Sequence, residues 1–331
     1  MRLPHRLPTA LALISAMASP AAFGQTFNAP GNILISDQFN NRVIEVDAFK
    51  NIVFSFGSNN PTLCNPGPGA IIAPNDVERL AKGLTLMAGT GTATCADNRV
   101  IVVDPKGNIV FQYGQAGVTG SGPNELNTPV FALQTPRGDY LITDQGNDRI
   151  ILVDSAGNIL FRYGPTSGPG ALNAPNSAEL LENGDYLIAD ENNSRVIEIN
   201  AKSQIVWQFS KGLNTVGFAS RLPDGDTLIA DSGNNRIVEV NPAGKIVFQY
   251  ATNHGAGSSA NPNPTGALRL ASGDTLIADQ FNNRVFAIRS TKQTVYQYGV
   301  TNLAGNTFNR LNAPYSAMVI GDYTGVTPPA K

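Results

Sequence analysis

Histidine, cysteine and tryptophan are scarce in this 331-residue chain, with two, two and one copies. His5 lies in a leader-like start, so His254 is the only imidazole in the remainder. That excludes a metal centre or proton relay built from several histidines. Long apolar runs are lacking too: nothing after residue 24 approaches the roughly 20 apolar residues of a membrane-spanning helix. There is no Walker loop, no G-x-S-x-G elbow and no HExxH. GTGTATC, residues 89–95, has too few glycines at the wrong spacing to cradle a phosphate. A dominant charge is also missing, with 23 basic residues against 25 acidic. Loss of a leader containing Arg2 and Arg6 leaves 21 against 25, a net of −4. Such a chain lacks the bulk charge that drives phosphate-backbone binding, so nucleic acid is not expected as a partner.

Arg2 and Arg6, the apolar stretch Ala10 to Met17 and the small residues ending Ala22-Phe23-Gly24 read as a signal peptide over 1–24. The chain is therefore expected to be secreted or periplasmic. Two cysteines, Cys64 and Cys95, in an exported chain suggest one disulfide.

The rest is dominated by repetition. GDTLIADQFNNRVFAI at 273–288 has near copies at 225–240, 184–199 and 138–153. Around residue 140, PVFALQT, YLIT, RIILV and ILFRY are short runs rich in β-branched and aromatic residues, separated by PRGD, DQGND and DSAGN. Runs of that length and composition are strands, and the Gly, Asn and Asp between them suit tight turns. Each unit is thus an antiparallel meander of four strands. The aspartate ending the second strand recurs at Asp37, Asp144, Asp190, Asp231 and Asp279, with Gly89 in its place in one unit. Six such units, at spacings of 52, 55, 46, 41 and 48 residues, predict an all-β fold, a six-bladed β-propeller. The first unit starts at its second strand, at Gly31, whereas LNAPYSAMVIGD at 311–322 matches first-strand entries such as LNAPNSAEL at 172–180. The two ends are expected to share one blade and close the ring, which removes exposed sheet edges. The propeller then spans 25–322, and 323–331 form a tail.

The pattern GDxLIADxxNxRVxxV followed by xGxIVFQYG resembles the NHL repeat, over essentially the whole mature chain. The resemblance implies a propeller but no one function, since such propellers include binding modules, scaffolds and enzymes. Related lyases and sulfotransferases rely on more than one histidine, which this chain does not offer. A calcium-dependent lactonase type uses Glu, Asn and Asp at the channel mouth. Its counterparts on first strands here would be Asn75, Asp76, Asn176 and Glu179.

Asp-x-x-Asn-x-Arg recurs between second and third strands, at Asp37/Arg42, Asp144/Arg149, Asp190/Arg195, Asp231/Arg236 and Asp279/Arg284. A carboxylate there can accept turn N–H groups and a guanidinium, and the Asn tolerates a left-handed backbone. A group present in nearly every blade serves the fold, because catalysis needs its groups once. The same logic assigns the fourth-strand aromatic pairs, such as Phe111/Tyr113 and Phe161/Tyr163, to packing between blades.

Departures from the repeat mark the functional face, on which second-to-third turns and inter-blade links open together. Cys95 lies in the enlarged turn GTGTATCADNR and Cys64 in the long link SNNPTLCNPGPGA, so the two are placed to bond at neighbouring blades. His254, in the link YATNHGAGSSANPNP, reads as a solvated loop residue ahead of a catalytic base. The sequence thus points to a monomeric, non-enzymatic module binding a protein, peptide or glycan through its long-loop face. The alternative is a lactonase, lyase or sulfotransferase type of enzyme at the channel mouth, with calcium as the one candidate cofactor.

Overall fold

The computed structural model describes residues 26–322; the signal peptide and tail expected from the sequence lie outside the described residues. Twenty-four strands form six four-stranded antiparallel sheets, and the described residues contain no α-helix. The protein is a six-bladed β-propeller. Blades 2 to 6 each use four consecutive strands. Blade 1 takes Ile33–Asp37, Arg42–Val46 and Ile52–Gly57 from the start of the chain, and its innermost strand is Pro314–Val319 from the end. Ile33, Leu34 and Ile35 pair with Val319, Met318 and Ala317.

Burial follows the distance of each strand from the axis. Second strands such as Tyr186–Asp190 and Thr275–Asp279 are buried at every residue because blades cover both of their faces. Fourth strands are half exposed, and their inward aromatics reach the next blade. Phe111 stacks on Tyr140 at 4.0 Å and Phe161 on Tyr186 at 4.5 Å between ring centroids. Glycine ends the outer strand of several blades for a steric reason. A Cβ on Gly57 or Gly299 would stand 2.3 Å from the carbonyl oxygen of Asn41 or Asn283.

The six innermost strands surround the axis: Pro74–Arg79, Pro129–Gln134, Pro175–Leu180, Val216–Arg221, Pro264–Arg269 and Pro314–Val319. Each packs against the next, and Pro264–Arg269 against Pro314–Val319 completes the circle. All six begin at the mouth where the second-to-third turns lie, since Pro129 pairs with Asp144 and Pro264 with Asp279.

Candidate functional site

The recurring Asp and Arg form a ring of buried ion pairs around that mouth. Arg42, Arg149, Arg195, Arg236 and Arg284 each place Nε 2.6–2.7 Å from the carboxylate of Asp37, Asp144, Asp190, Asp231 and Asp279. The second carboxylate oxygen accepts the N–H of the incoming link in four blades, from Asn312, Asn127, Asn173 and Asn214. The motif Asn donates its amide to the Asp. It is the following residue that adopts the left-handed backbone: Asn41, Asp148, Ser194, Asn235 and Asn283. The turn geometry places the αL position one residue later than the sequence reading put it. Burial holds Asp37 and Asp279 up at about 6 in spite of their arginines.

Blade 2 keeps the ion pair without the aspartate position that recurs in the other blades. Its second strand ends in Gly89, but Asp97, two residues before Arg99, binds that guanidinium at 2.6 Å and accepts the Ile72 N–H at 2.7 Å. A Cβ on Gly89 would lie 2.7 Å from the Asp97 carboxyl, so the two carboxylate positions are mutually exclusive. The sequence reading, which counted five motifs, missed the sixth. In the same turn Cys95 is disulfide-bonded to Cys64 of the long link, with Cα atoms 5.1 Å apart.

Inside the channel, carboxylates and hydroxyls play a different part. An innermost strand has no neighbour on its axial side, so alternate N–H groups point at the adjacent blade. Ser316 and Met318 receive the N–H of Val77 and Arg79; Asp76 and Glu78 receive those of Ala132 and Gln134; Ser177 and Glu179 receive those of Ala219 and Arg221. Corresponding positions of blades 3 and 6 are Phe131/Leu133 and Gly266/Leu268, and of blade 5 Phe218/Ser220. Desolvation raises Asp76 to about 6 and Glu179 to about 8, and raises Glu78 well above the usual range.

A hydrogen-bonded floor crosses the mouth above this layer. Tyr315, on the strand that closes the ring, comes from blade 1. Its hydroxyl accepts from Asn176 of blade 4, on the opposite side, at 2.7 Å, so its ring spans the axis. Asn75 lies close enough to act on the same hydroxyl. Asn75 accepts from Gln38 at 2.6 Å, Gln38 from Gln280 at 2.8 Å and Gln280 from Asn263 at 2.7 Å. On the other side Asn176 and Gln145 both donate to Glu191 Oε2, at 2.7 and 2.8 Å. Burial keeps the Tyr315 hydroxyl protonated and raises Glu191. Sequence reasoning found Asn75 and Asn176 but missed Tyr315, Glu191 and the glutamines. A signal was present. The residue after each motif aspartate is Gln38, Gln145, Glu191, Ser232 or Gln280, polar every time.

Of the four residues expected to hold calcium, Asn75, Asp76 and Asn176 line one cavity, and Glu179 is not part of that lining. Asn176 spends its amide hydrogens on Glu191 and Tyr315, Asp76 faces blade 3, and Glu179 faces blade 5 at a deeper layer. Among the described residues, Asp224, Asp226 and Glu239 form the carboxylate group compact enough to share an ion. It sits at the turn after Val216–Arg221, at the far end of the channel, where Glu239 is bonded to Arg269 at 2.5 Å. His254 is exposed beside Arg236 and Lys292, in a depression apart from the channel. No described helix is long and apolar enough to cross a membrane.

A family model described as outer membrane protein assembly factor BamB matches residues 96–309. No curated protein sequence matches the chain. Among solved structures, it is similar to virginiamycin B lyase from Staphylococcus aureus, at 17% identity and a TM-score of 0.56, covering 83% of each chain. A streptogramin B lyase matches at 15% and 0.58, over 86% of this chain and 84% of that one. A protein of unknown function from Bacteroides caccae matches at 16% and 0.63, over 87% and 98%. At these identities the likeness is one of fold.

Proposed function

The chain belongs to the outer membrane protein assembly factor BamB family, whose model covers its residues 96–309, and on that premise we propose that it is an exported scaffold that binds a protein partner through its long-loop face. In this reading residues 1–24 are removed as a signal peptide, 25–322 form an NHL-type propeller working as a monomer, and 323–331 are a tail. The mature protein acts outside the cytoplasm, where a Cys64–Cys95 bridge persists.

The observation that carries the reading is the asymmetry of exposed aromatics. Blades 1 and 6 share the heptapeptide DQFNNRV, and their adjacent turns, joined by the Gln38–Gln280 bond, expose Phe39 at 39% and Phe281 at 43%. Phe308, in the link between the same blades, is 66% exposed. The corresponding turn residues elsewhere are Gly91, Gly146, Asn192 and Gly233. An aromatic patch beside a polar floor has the composition of a protein-binding surface.

A lyase type of reaction at the channel mouth is the second reading. It is favoured by Glu191 and Tyr315, which share Asn176 as a bridge. Photo-crosslinking amino acids placed at Phe39, Phe308 and, on the opposite face, Phe49 test the scaffold reading in cells. Adducts from Phe39 and Phe308 but not Phe49 support it; adducts confined to Phe49 reject it.

A further inference from the structure

Below the Tyr315 bar lies a cavity of about 60 Å³, which is room for about two waters. It is lined by Asp76 and Glu78, by Phe131, Phe218 and Tyr315, by the amides Asn75 and Asn176, and by small or aliphatic residues; no Lys, Arg or His lines it. Phe131, Gly266, Leu268, Tyr315 and Ser316 keep part of their surface accessible.

Asp76 and its neighbour Glu78 are the anomalies of this chamber, and Asp76 lies nearer the mouth. Buried acids of the turn ring are bonded to arginines, and at the far end of the channel Arg79, Arg221 and Arg269 are held by Glu45, Glu198 and Glu239. Asp76, 5% exposed, accepts the N–H of Ala132 and lies beside Ser316, and no basic side chain is among the groups acting on it. A buried carboxylate without a cation is costly, and a ligand that brings one recovers that cost. Phe131 and Phe218, with centroids 5.9 Å apart, and Tyr315 present π systems that attract cations. Anions are repelled by the carboxyls, and the volume selects a linear chain over a sugar ring.

We propose that this cavity is a receptor for one primary alkylammonium group, with Asp76 as counter-ion and Phe131, Phe218 and Tyr315 as its aromatic walls. The proposal deepens the scaffold reading and rests on it: the long-loop face would recognise an amine-bearing partner, either a lysine side chain or a free polyamine.

Calorimetric titration of the full mature chain tests this with n-butylammonium, 1-butanol and butyrate. The amine binds, and the alcohol and acid do not; equal binding of the alcohol overturns the proposal, as does absence of amine binding. Asp76→Asn, which preserves an acceptor for the Ala132 N–H, weakens amine binding at least tenfold, and an unchanged affinity overturns the assignment. Gly266→Leu is the independent check should that variant fold poorly. Gly266 lines the cavity, and a Cβ there meets its nearest atoms at 3.5–3.9 Å, which are ordinary contact distances. It abolishes amine binding at an unchanged melting temperature; retained binding overturns the site. Nα-acetyl-lysine methylamide and putrescine, titrated in parallel, separate the two sources of the amine. Crosslinking at Phe39 and Phe308 probes the face whether or not an amine binds, so failure of one reading is distinguishable from failure of the other.

Discussion

Buried carboxylates occur in two places in this propeller and do different work in each. In the turn ring, Asp144 is bonded to Arg149, whose side chain is 1% exposed, so charge meets charge in a dry setting. In the channel, Asp76 and Glu179 accept main-chain N–H groups from the neighbouring blade and have no guanidinium bonded to them. The first arrangement needs the ionised form; the second needs only an acceptor. Blade 2 shows how strict the first requirement is. Its carboxylate has moved to Asp97, yet it reaches both Arg99 and the link N–H. What the turn demands is a charge at a point in space, from whichever residue can reach it.

That contrast can be broken most sharply at Asp144. Asp144→Ala leaves Arg149 buried without its partner and should cost about 3–5 kcal/mol, read from urea unfolding; a loss below about 1 kcal/mol would erase the distinction between the two rings. Reduction of the Cys64–Cys95 bridge, which closes a 31-residue separation in the altered blade, should cost about 3–4 kcal/mol in the same measurement. Exchanging the two carboxylate sites of blade 2 comes next. Gly89→Asp alone crowds Asp97 and should cost about 1–3 kcal/mol. Adding Asp97→Asn recreates the arrangement of the other blades and should recover most of that loss.

The smallest effects belong to the channel. Glu179→Gln retains an acceptor for the Arg221 N–H and should change stability by less than about 1 kcal/mol at pH 5. Its pH dependence carries the sharper information. Burial pushes the Glu179 carboxyl up to about 8 in the folded state, from an ordinary 4.5. The native state therefore binds more protons across that window, and stability falls as pH rises from about 4.5 towards 8. Asp76, raised from 3.8 to about 6, adds a fall of the same sign at lower pH. Melting temperatures of the wild-type chain should decline from pH 5 to 8, and Glu179→Gln should flatten the upper part of that decline. A curve unchanged by the substitution would mean that Glu179 does not titrate in this window.

Most of the fold was legible because the repeat is local. Gly-Asp before a strand, Asp at its end and an aromatic pair on the fourth strand recur whatever the blade packs against. The completion of the first blade by LNAPYSAMV could be read from one unit lacking what the last one had spare. The candidate site was only half legible. Asn75, Asp76 and Asn176 stood out as polar residues at the entry of innermost strands, but the reach of Tyr315 across the axis depends on blade 1 facing blade 4, which no local pattern records. Asp97 was hidden for a related reason: aligned by strand position it falls where Asn40 stands in blade 1, and its carboxyl turns back to the empty place beside Gly89.

The chain by itself determined the number of blades, the meander within each and the Asp–Arg pairing of five of the six turns, since all of these follow from strand period, turn residues and repetition over tens of residues. Only the assembled ring decided which polar side chains meet. Closure brings residues hundreds of positions apart, such as Gln38 and Gln280, into hydrogen-bond distance. It also aims alternate N–H groups of each inner strand at side chains of the neighbouring blade, where burial and not sequence sets their charge.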